Sequence, residues 1–155
     1  MKLQDCEKLA RKFLNIFGLW DWEFLFDRAK VRLGACHFQK QHISLSREFV
    51  RLNGEKICRD LILHEIAHAL CGPKVGHGQA FKRKLAEIGG EKFSKKDVQL
   101  PLRKFTATCE TCGQTFQAQR RRNVACLKCC RKFASGKFSQ RFAFKFVKNA
   151  QEVSS

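Results

Sequence analysis

Apolar residues fall into alternating helical and extended patterns over the first half of the chain. Helical spacing over residues 3–17, with Gly18 as a natural C-cap, predicts an opening helix. Residues 22–26, 29–35 and 43–45 predict three strands, and the strict alternation over 29–35 is typical of a strand with one buried face. Together these patterns predict an α+β fold.

Three further helices are predicted between residues 46 and 88. Ser46 can cap a short helix that runs through Leu52. The strongest helical pattern of the chain is Glu55–Leu70, where apolar residues occupy most sides, so this helix is predicted to be buried. A last helix over residues 79–88 has a single apolar face.

The length of the chain leaves room for one modest core and a small second domain. Its 155 residues are 44% apolar and 29% charged, which is ordinary composition for a folded protein. The polar, lysine-rich stretch 91–104 is predicted to link a first domain, residues 1–100, to a second, residues 101–150. No stretch approaches the roughly 20 apolar residues that cross a bilayer, and the charged first residues do not resemble a secretory signal. We therefore expect an intracellular protein of the cytoplasm, nucleoid or nucleus that is neither secreted nor membrane-bound.

Positive charge is concentrated in the second part of the chain. The net charge is +17. Residues 1–100 hold 19 Lys and Arg against 12 Asp and Glu, whereas residues 101–155 hold 12 against 2, a net charge of +10. This asymmetry predicts a polyanionic partner, with nucleic acid as the first candidate. The alternative is a basic surface that only keeps the protein soluble.

The buried helix carries the most distinctive polar residues of the chain, His64, Glu65 and His68. Side chains at positions i and i+4 lie about 40° apart around a helix, so both imidazoles can bind one metal ion. Glu65 is then predicted to be the general base that takes a proton from water at a catalytic zinc. Burying three polar groups in an apolar helix is costly unless something binds them. The alternative is a pair of hydrogen-bonded core histidines beside a surface glutamate.

A catalytic zinc needs a third protein ligand, and the sequence offers rival candidates. One class of metalloprotease places a histidine six residues after the second ligand, but that position is Lys74. A second class would use a glutamate on the following helix, where Glu87 stands. His77 is favoured, because the glycines on either side of it allow the loop to bend back toward the metal.

Four cysteines of the second domain have the spacing of a structural zinc site. Cys109 and Cys112 form one Cys-x-x-Cys knuckle, and Cys126 and Cys129 form another after thirteen intervening residues. Cys130 could replace Cys129, although the geometry of a Cys-x-x-Cys turn favours Cys129. We therefore predict two Zn²⁺ ions per chain, one catalytic and one structural, of which the second contributes directly to folding.

Basic and aromatic residues surround these cysteines. Arg120, Arg121 and Arg122 are predicted to contact phosphate groups of a nucleic acid. Residues 142–146 alternate phenylalanine with other residues, so their three rings would share one face of a strand. These rings could stack on the bases of single-stranded nucleic acid, or they could form the core of the small domain itself.

The order and spacing of these residues resemble the SprT-like family, which includes Spartan. His64–Leu70 is similar to the family's HExxHA helix, and His77–Phe81 is similar to its HGxx-aromatic ligand loop. The segments around residues 32–36 and 43–46 and the downstream cysteine ribbon also fit, so the resemblance covers nearly the whole chain. It implies that His64, His68 and His77 are the zinc ligands and that Glu65 is the general base. The loop between His68 and His77 is shorter than in Spartan and closer to that of the compact microbial members of the family.

The resemblance also implies a fold and an activity. The expected fold is an α+β, zincin-like metalloprotease domain followed by a β-rich zinc ribbon. The expected activity is hydrolysis of proteins bound or crosslinked to DNA, with single-stranded or crosslink-bearing DNA as the partner of the ribbon. The alternative is an adaptor for nucleic acid or transcription that binds zinc without proteolysis.

Overall fold

The computed structural model describes residues 1–91 and 97–149, and the chain divides into two units, Met1–Pro101 and Leu102–Ser155. The first unit contains, in chain order, α1 (Leu3–Ile16), β1 (Glu23–Asp27), β2 (Gly34–His37), β3 (His42–Ser46), α2 (Arg47–Leu52), α3 (Glu55–Cys71) and α4 (Gln79–Glu87). The second contains β4 (Phe105–Thr108), β5 (Thr115–Ala118), α5 (Leu127–Phe133) and β6 (Lys145–Lys148). The mixed α+β class is therefore confirmed, while residues 92–96 of the predicted linker lie outside the described residues.

The predicted helices of the first unit are confirmed to within two residues at their ends. Ser46 caps α2 as expected, because its hydroxyl accepts a hydrogen bond from the backbone N–H of Phe49. The 17-residue α3 is buried along most of its length, in agreement with its apolar pattern. Among the residues that the structure describes, no helix is both long and apolar enough to cross a membrane.

A three-stranded sheet with the order β1-β3-β2 supports the first unit. The central strand β3 runs parallel to β1 and antiparallel to β2, which leaves β2 at an edge. Phe24, Ile43 and Leu45 are buried on one face of the sheet and belong to the same core cluster as α1 and α3. The core also contains the buried thiols of Cys6 and Cys58.

The strand predicted over residues 29–35 is wrong for most of its length, since the extended segment is Gly34–His37. The reason is a local hydrogen-bond network that holds the preceding residues in a loop. The Asp27 carboxylate accepts from the backbone N–H of Ala29 at 2.8 Å and from the Arg32 guanidinium at 2.6 Å. Such side-chain hydrogen bonds compete with strand pairing, and apolar alternation does not reveal them.

The second unit is a three-stranded antiparallel sheet with the order β5-β4-β6, accompanied by the short helix α5. Its buried cluster consists of four cysteines and one aromatic ring, namely Cys109, Cys126, Cys129, Cys130 and Phe142. The unit therefore has few apolar side chains of its own with which to stabilise a fold.

Candidate metal centres

Helix α3 positions the first two candidate metal ligands. His64 and His68 are one helical turn apart, and their ring centroids are separated by 5.0 Å. The apolar faces of α3 pack into the core, so the backbone that carries both imidazoles is held rigidly. Both side chains remain half-buried, which leaves their ring nitrogens accessible.

His77 reaches the same place from the loop between α3 and α4. Its Nε2 atom lies 3.0 Å from Nε2 of His64 and 3.1 Å from Nε2 of His68. The chain turns after α3 at Gly72, whose φ of 88° lies in the left-handed region. The chain also bends at His77 and Gly78, as expected, although neither glycine that flanks His77 has a positive φ.

The arrangement of the three imidazoles favours metal coordination over hydrogen bonding between the rings. A ring nitrogen carries either one proton or one lone pair, so Nε2 of His77 cannot form good hydrogen bonds with both neighbouring rings. A cation at the centre would accept a lone pair from each of the three nitrogens. All three ligand atoms lie within 4.8 Å of one another. This donor set fits a divalent metal that prefers imidazole ligands, such as zinc.

Phe81 of α4 forms an aromatic floor under the three rings. Its ring centroid lies 4.8 Å from that of His64, 4.4 Å from that of His68 and 4.9 Å from that of His77. Only 3% of Phe81 is exposed, because it packs with Leu63, Ala67 and Leu85. Phe81 thus connects the candidate ligands of α3 and of the following loop to one small apolar cluster.

Burial and the neighbouring rings keep the imidazoles of His64 and His68 neutral in the absence of metal. Burial, together with the neighbouring His68 and His77, lowers the pKa of His64 to about 4. Burial and the neighbouring His77 also lower the pKa of His68. A metal ligand must offer a free lone pair, so both shifts favour metal binding at neutral pH.

Glu65 follows His64 in α3 and is buried, with 5% of its surface exposed. Burial raises the pKa of its carboxyl to about 8, and the charge of Arg32 opposes this shift. Within residues 1–91 and 97–149, the carboxyl accepts no direct hydrogen bond from another protein group. The alternative of a surface glutamate is therefore wrong.

The rival third ligand, Glu87, is directed elsewhere. Its carboxylate pairs with the ammonium group of Lys84 at 2.8 Å, and 65% of its side chain is exposed. The structure groups His77, and not Glu87, with His64 and His68.

The four cysteines of the second unit also converge. The sulfur atoms of Cys109 and Cys129 are 3.8 Å apart, those of Cys112 and Cys126 are 3.6 Å apart, and all four lie within 4.8 Å of one another. Cys130 is buried next to them but does not belong to the group, in agreement with the predicted choice of Cys129.

Backbone geometry prepares this cluster for a metal ion. Gly113 has a φ of 70° and its N–H donates to the carbonyl of Cys109, which closes the first knuckle. Burial alone would raise the pKa of the Cys109 thiol, but backbone N–H groups of Thr111 and Cys112 point at its sulfur and lower it to about 7. A lowered pKa favours the thiolate, which is the form that binds metal.

The predicted phosphate-binding arginines lie together in the loop after β5. Arg120, Arg121 and Arg122 are all exposed. The guanidinium carbon of Arg121 lies 5.3 Å from the centre of the Phe105 ring on β4, a cation–π distance.

The continuous strand face predicted for the three phenylalanines of residues 142–146 is wrong. Phe142 ends a short 3-10 turn, is 3% exposed and packs with the cysteines, so it belongs to the core. Strand β6 begins only at Lys145, although Phe144 and Phe146 both contact the Phe116 ring, with centroids 4.8 and 6.0 Å away. Sequence reasoning missed Phe116, although its place between polar residues in Thr115–Ala118 is a strand signal.

The two remaining histidines form a pair on the sheet. His37 and His42 face each other across β2 and β3 with their rings stacked at 4.4 Å, and both are half-buried. Neither belongs to the group formed by the other three histidines.

Comparisons with known proteins agree with the motifs. The sequence profile described as the SprT-like family matches residues 4–122. A protein named Protein SprT-like from Streptococcus equi subsp. zooepidemicus is 28% identical over 103 residues, which cover 63% of this chain and 70% of that protein. A protein of the same name from Streptococcus agalactiae serotype Ia is 27% identical over 114 residues, covering 71% and 76%.

A solved structure is also partly similar. The metallopeptidase zymogen of Methanocaldococcus jannaschii, jannalysin, superposes with a TM-score of 0.48 and 19% identity, covering 59% of this chain and 85% of that one.

Proposed function

The chain belongs to the SprT-like family, and we propose that it is a zinc-dependent endopeptidase of zincin-like architecture. One observation carries this proposal: three imidazole nitrogens converge at one point, and the helix that carries two of them also carries the buried carboxyl of Glu65. Three neutral nitrogen ligands leave a fourth position open on a tetrahedral metal, which is the arrangement of a catalytic site rather than a structural one.

His64, His68 and His77 would hold the metal. A zinc ion bound there supplies Lewis acidity, which polarises the scissile carbonyl and makes a water molecule more acidic. The role of the protein is then to fix the three ligands and to keep the remaining position accessible. The half-buried His64 and His68 and the exposed His77 meet that requirement.

Glu65 would move the protons of the reaction. Its carboxylate accepts a proton from the attacking water and then donates it to the amine that leaves when the peptide bond breaks. The buried environment that raises its pKa makes it a better proton acceptor than an exposed glutamate. Its side chain follows that of His64 directly, so it is carried by the same rigid helix.

The edge strand β2 would orient an extended substrate. Within the described residues β2 pairs only with β3, so its other edge has backbone groups free to pair with a peptide. Gly34 of this strand lies directly against the Glu65 side chain, which brings the edge close to the proposed base. A substrate added to β2 would thus pass beside the catalytic carboxyl.

A direct test compares the wild-type chain with Glu65→Gln, both loaded with zinc, on an unfolded protein substrate. We expect the wild type to cleave it, and Glu65→Gln to retain the metal but lose about 10²–10⁴-fold in kcat. If the zinc-loaded wild type cleaves nothing, or if Glu65→Gln cleaves equally well, the chain is not this type of peptidase. A non-proteolytic adaptor would then be the better description.

We further propose that the second unit binds single-stranded nucleic acid and that the substrates are DNA-bound or DNA-crosslinked proteins. Residues 101–155 carry a net charge of +10. One face of the sheet carries three aromatic rings, those of Phe105, Phe116 and Phe146. The guanidinium group of Arg121 lies over the Phe105 ring. Aromatic rings among cations favour stacked bases and phosphates together.

The test of this partner is a binding and cleavage measurement with single-stranded DNA. Affinity should fall steeply with salt concentration, and replacing Arg120, Arg121 and Arg122 together should flatten that dependence. Cleavage of a DNA-bound protein should exceed cleavage of the same protein free in solution, because binding raises its local concentration. Salt-independent binding, or equal rates for bound and free substrate, would contradict the proposal.

A further inference from the structure

We propose that Gly34 is a positioning residue for catalysis, because its missing side chain leaves the space that the Glu65 carboxyl occupies. The proposal deepens the function proposed above and rests on it for the role of Glu65. Its structural part, a close approach between an edge strand and the side chain of a neighbouring helix, stands on geometry alone.

The distances show that the Glu65 side chain leaves no room for a side chain at position 34. A Cβ atom placed on Gly34 would lie 2.6 Å from Oε1 of Glu65 and 3.1 Å from both its Cδ and Cγ atoms. Favourable contacts between carbon atoms lie near 3.5–4.0 Å, so even an alanine methyl cannot coexist with the carboxyl in this position.

The glycine is needed for its small size and not for its backbone conformation. Gly34 does not have a positive φ, unlike the five glycines of the chain that do, so an alanine could adopt its backbone angles. It pairs with Leu45 in the regular register of β2 and β3. The constraint at this position therefore comes from Glu65.

An added methyl group would displace the carboxyl rather than the strand. Strand β2 is held by its ladder to β3, and the carbonyl of the preceding Leu33 accepts a further hydrogen bond from Ser46 at 2.8 Å. The contacted atoms of Glu65 are at the far end of a flexible side chain, which can rotate at small energetic cost. The folded structure would survive while the carboxyl moved away from its place against position 34.

The expected effect is a loss of turnover without a loss of binding. A displacement of about 1 Å in a reacting group can cost about 10²-fold in rate. We therefore expect Gly34→Ala to lower kcat by about 10–100-fold with KM and zinc content unchanged. Gly54→Ala is the matched control, because a Cβ there meets no atom within 4 Å and its φ of −74° suits alanine.

The experiment uses the 155-residue chain labelled with ¹³C at the glutamate side-chain carboxyls, with the Glu65 resonance assigned by its absence in Glu65→Gln. We expect Gly34→Ala to shift that resonance and Gly54→Ala to leave it in place. An unchanged resonance in Gly34→Ala overturns the proposal, whether or not the protein cleaves anything. Kinetics on the same samples then separate the claims: an inactive wild type refutes the proposed function, whereas an active wild type matched in kcat by Gly34→Ala refutes the role of Gly34.

Folding of the variant is also informative. If Gly34→Ala does not fold, the double variant Gly34→Ala/Glu65→Ala decides the matter, because the side chain that the methyl meets has been removed. Recovery of the fold in the double variant supports the contact, and failure to recover overturns it.

Discussion

The two candidate metal centres of this protein differ in what surrounds them. The three imidazoles of the first unit stand on helix α3 and an adjacent loop, beside a hydrophobic core that contains twelve buried residues. The four thiols of the second unit have no such support, since three of them are themselves members of the five-residue buried cluster. The histidine centre lies beside a separate hydrophobic core, whereas the cysteine centre forms most of the core of its own unit.

This difference separates the two uses of a metal ion. A unit that folds without its metal can keep ligands half-buried and a coordination position open, as chemistry requires. A unit whose core consists of ligands must close its site completely and gains its folding free energy from the metal. The first unit is therefore expected to lose function without metal, and the second is expected to lose structure.

The largest predicted effect is the collapse of the second unit in Cys112→Ser. Structural zinc sites bind with roughly 10–16 kcal/mol at pH 7, comparable to the whole stability of a small domain. We expect one equivalent of zinc to be lost and the amide resonances of β4, β5 and β6 to lose their dispersion in two-dimensional NMR spectra. Cys71→Ser, at a half-buried cysteine outside both centres, should change neither. Well-dispersed resonances from a zinc-free second unit would contradict the comparison.

The next effect is loss of metal without loss of fold in His77→Ala. The exposed imidazole contributes little to packing, so the unfolding free energy of the metal-free first unit should change by less than about 0.5 kcal/mol. Metal analysis should show zinc missing from this unit, and peptidase activity should disappear. Glu87→Ala is the control and should keep both the zinc of the first unit and the peptidase activity. The reverse pattern would identify Glu87 as the ligand.

A smaller effect is expected from Phe81→Leu, which removes the aromatic floor below the imidazoles. Loss of a residue that packs against metal ligands and orients them typically costs about 10–100-fold in metal affinity. For Phe81→Leu we expect a loss of affinity at the lower end of that range. Substitution with cobalt would report the change as an altered visible absorption spectrum. Phe49→Leu, in the core and outside the cluster around the site, should lose similar stability but keep its cobalt spectrum. Equal spectra for both variants would reduce Phe81 to a packing residue.

The smallest effect concerns nucleic acid and the second unit. Arg121→Ala should reduce the slope of log affinity against log salt concentration by about one, the contribution of a single phosphate contact. Lys8→Ala in α1 is a charge-matched control and should leave the slope unchanged. Equal slopes for Arg121→Ala and the wild type would remove Arg121 from the contact surface.

The sequence was most informative where the spacing of residues within one element determines geometry. The pair at positions 64 and 68 and the two Cys-x-x-Cys knuckles are local patterns, and the structure brings both sets of side chains together. The helices were equally predictable, because apolar periodicity reports burial directly.

Features that depend on contacts between distant residues escaped sequence reasoning. The alternation over residues 29–35 suggested a longer strand, but the hydrogen bonds of Asp27 hold its first part in a loop. Phe142 alternates with its neighbours and yet packs among the cysteines. Gly34 and Glu65 are 31 positions apart in the sequence, and no local sequence pattern predicts their close contact.

Stepwise loading of the metal-free chain with zinc tests the central comparison most directly. Folding of the second unit, followed by NMR, and cleavage of an unfolded protein would be measured together after each addition. Thiolates bind zinc more tightly than neutral imidazoles, so we predict that the first equivalent folds the second unit and that cleavage begins only with the second equivalent. Cleavage that is complete after one equivalent, or a second unit already folded without zinc, would contradict the account.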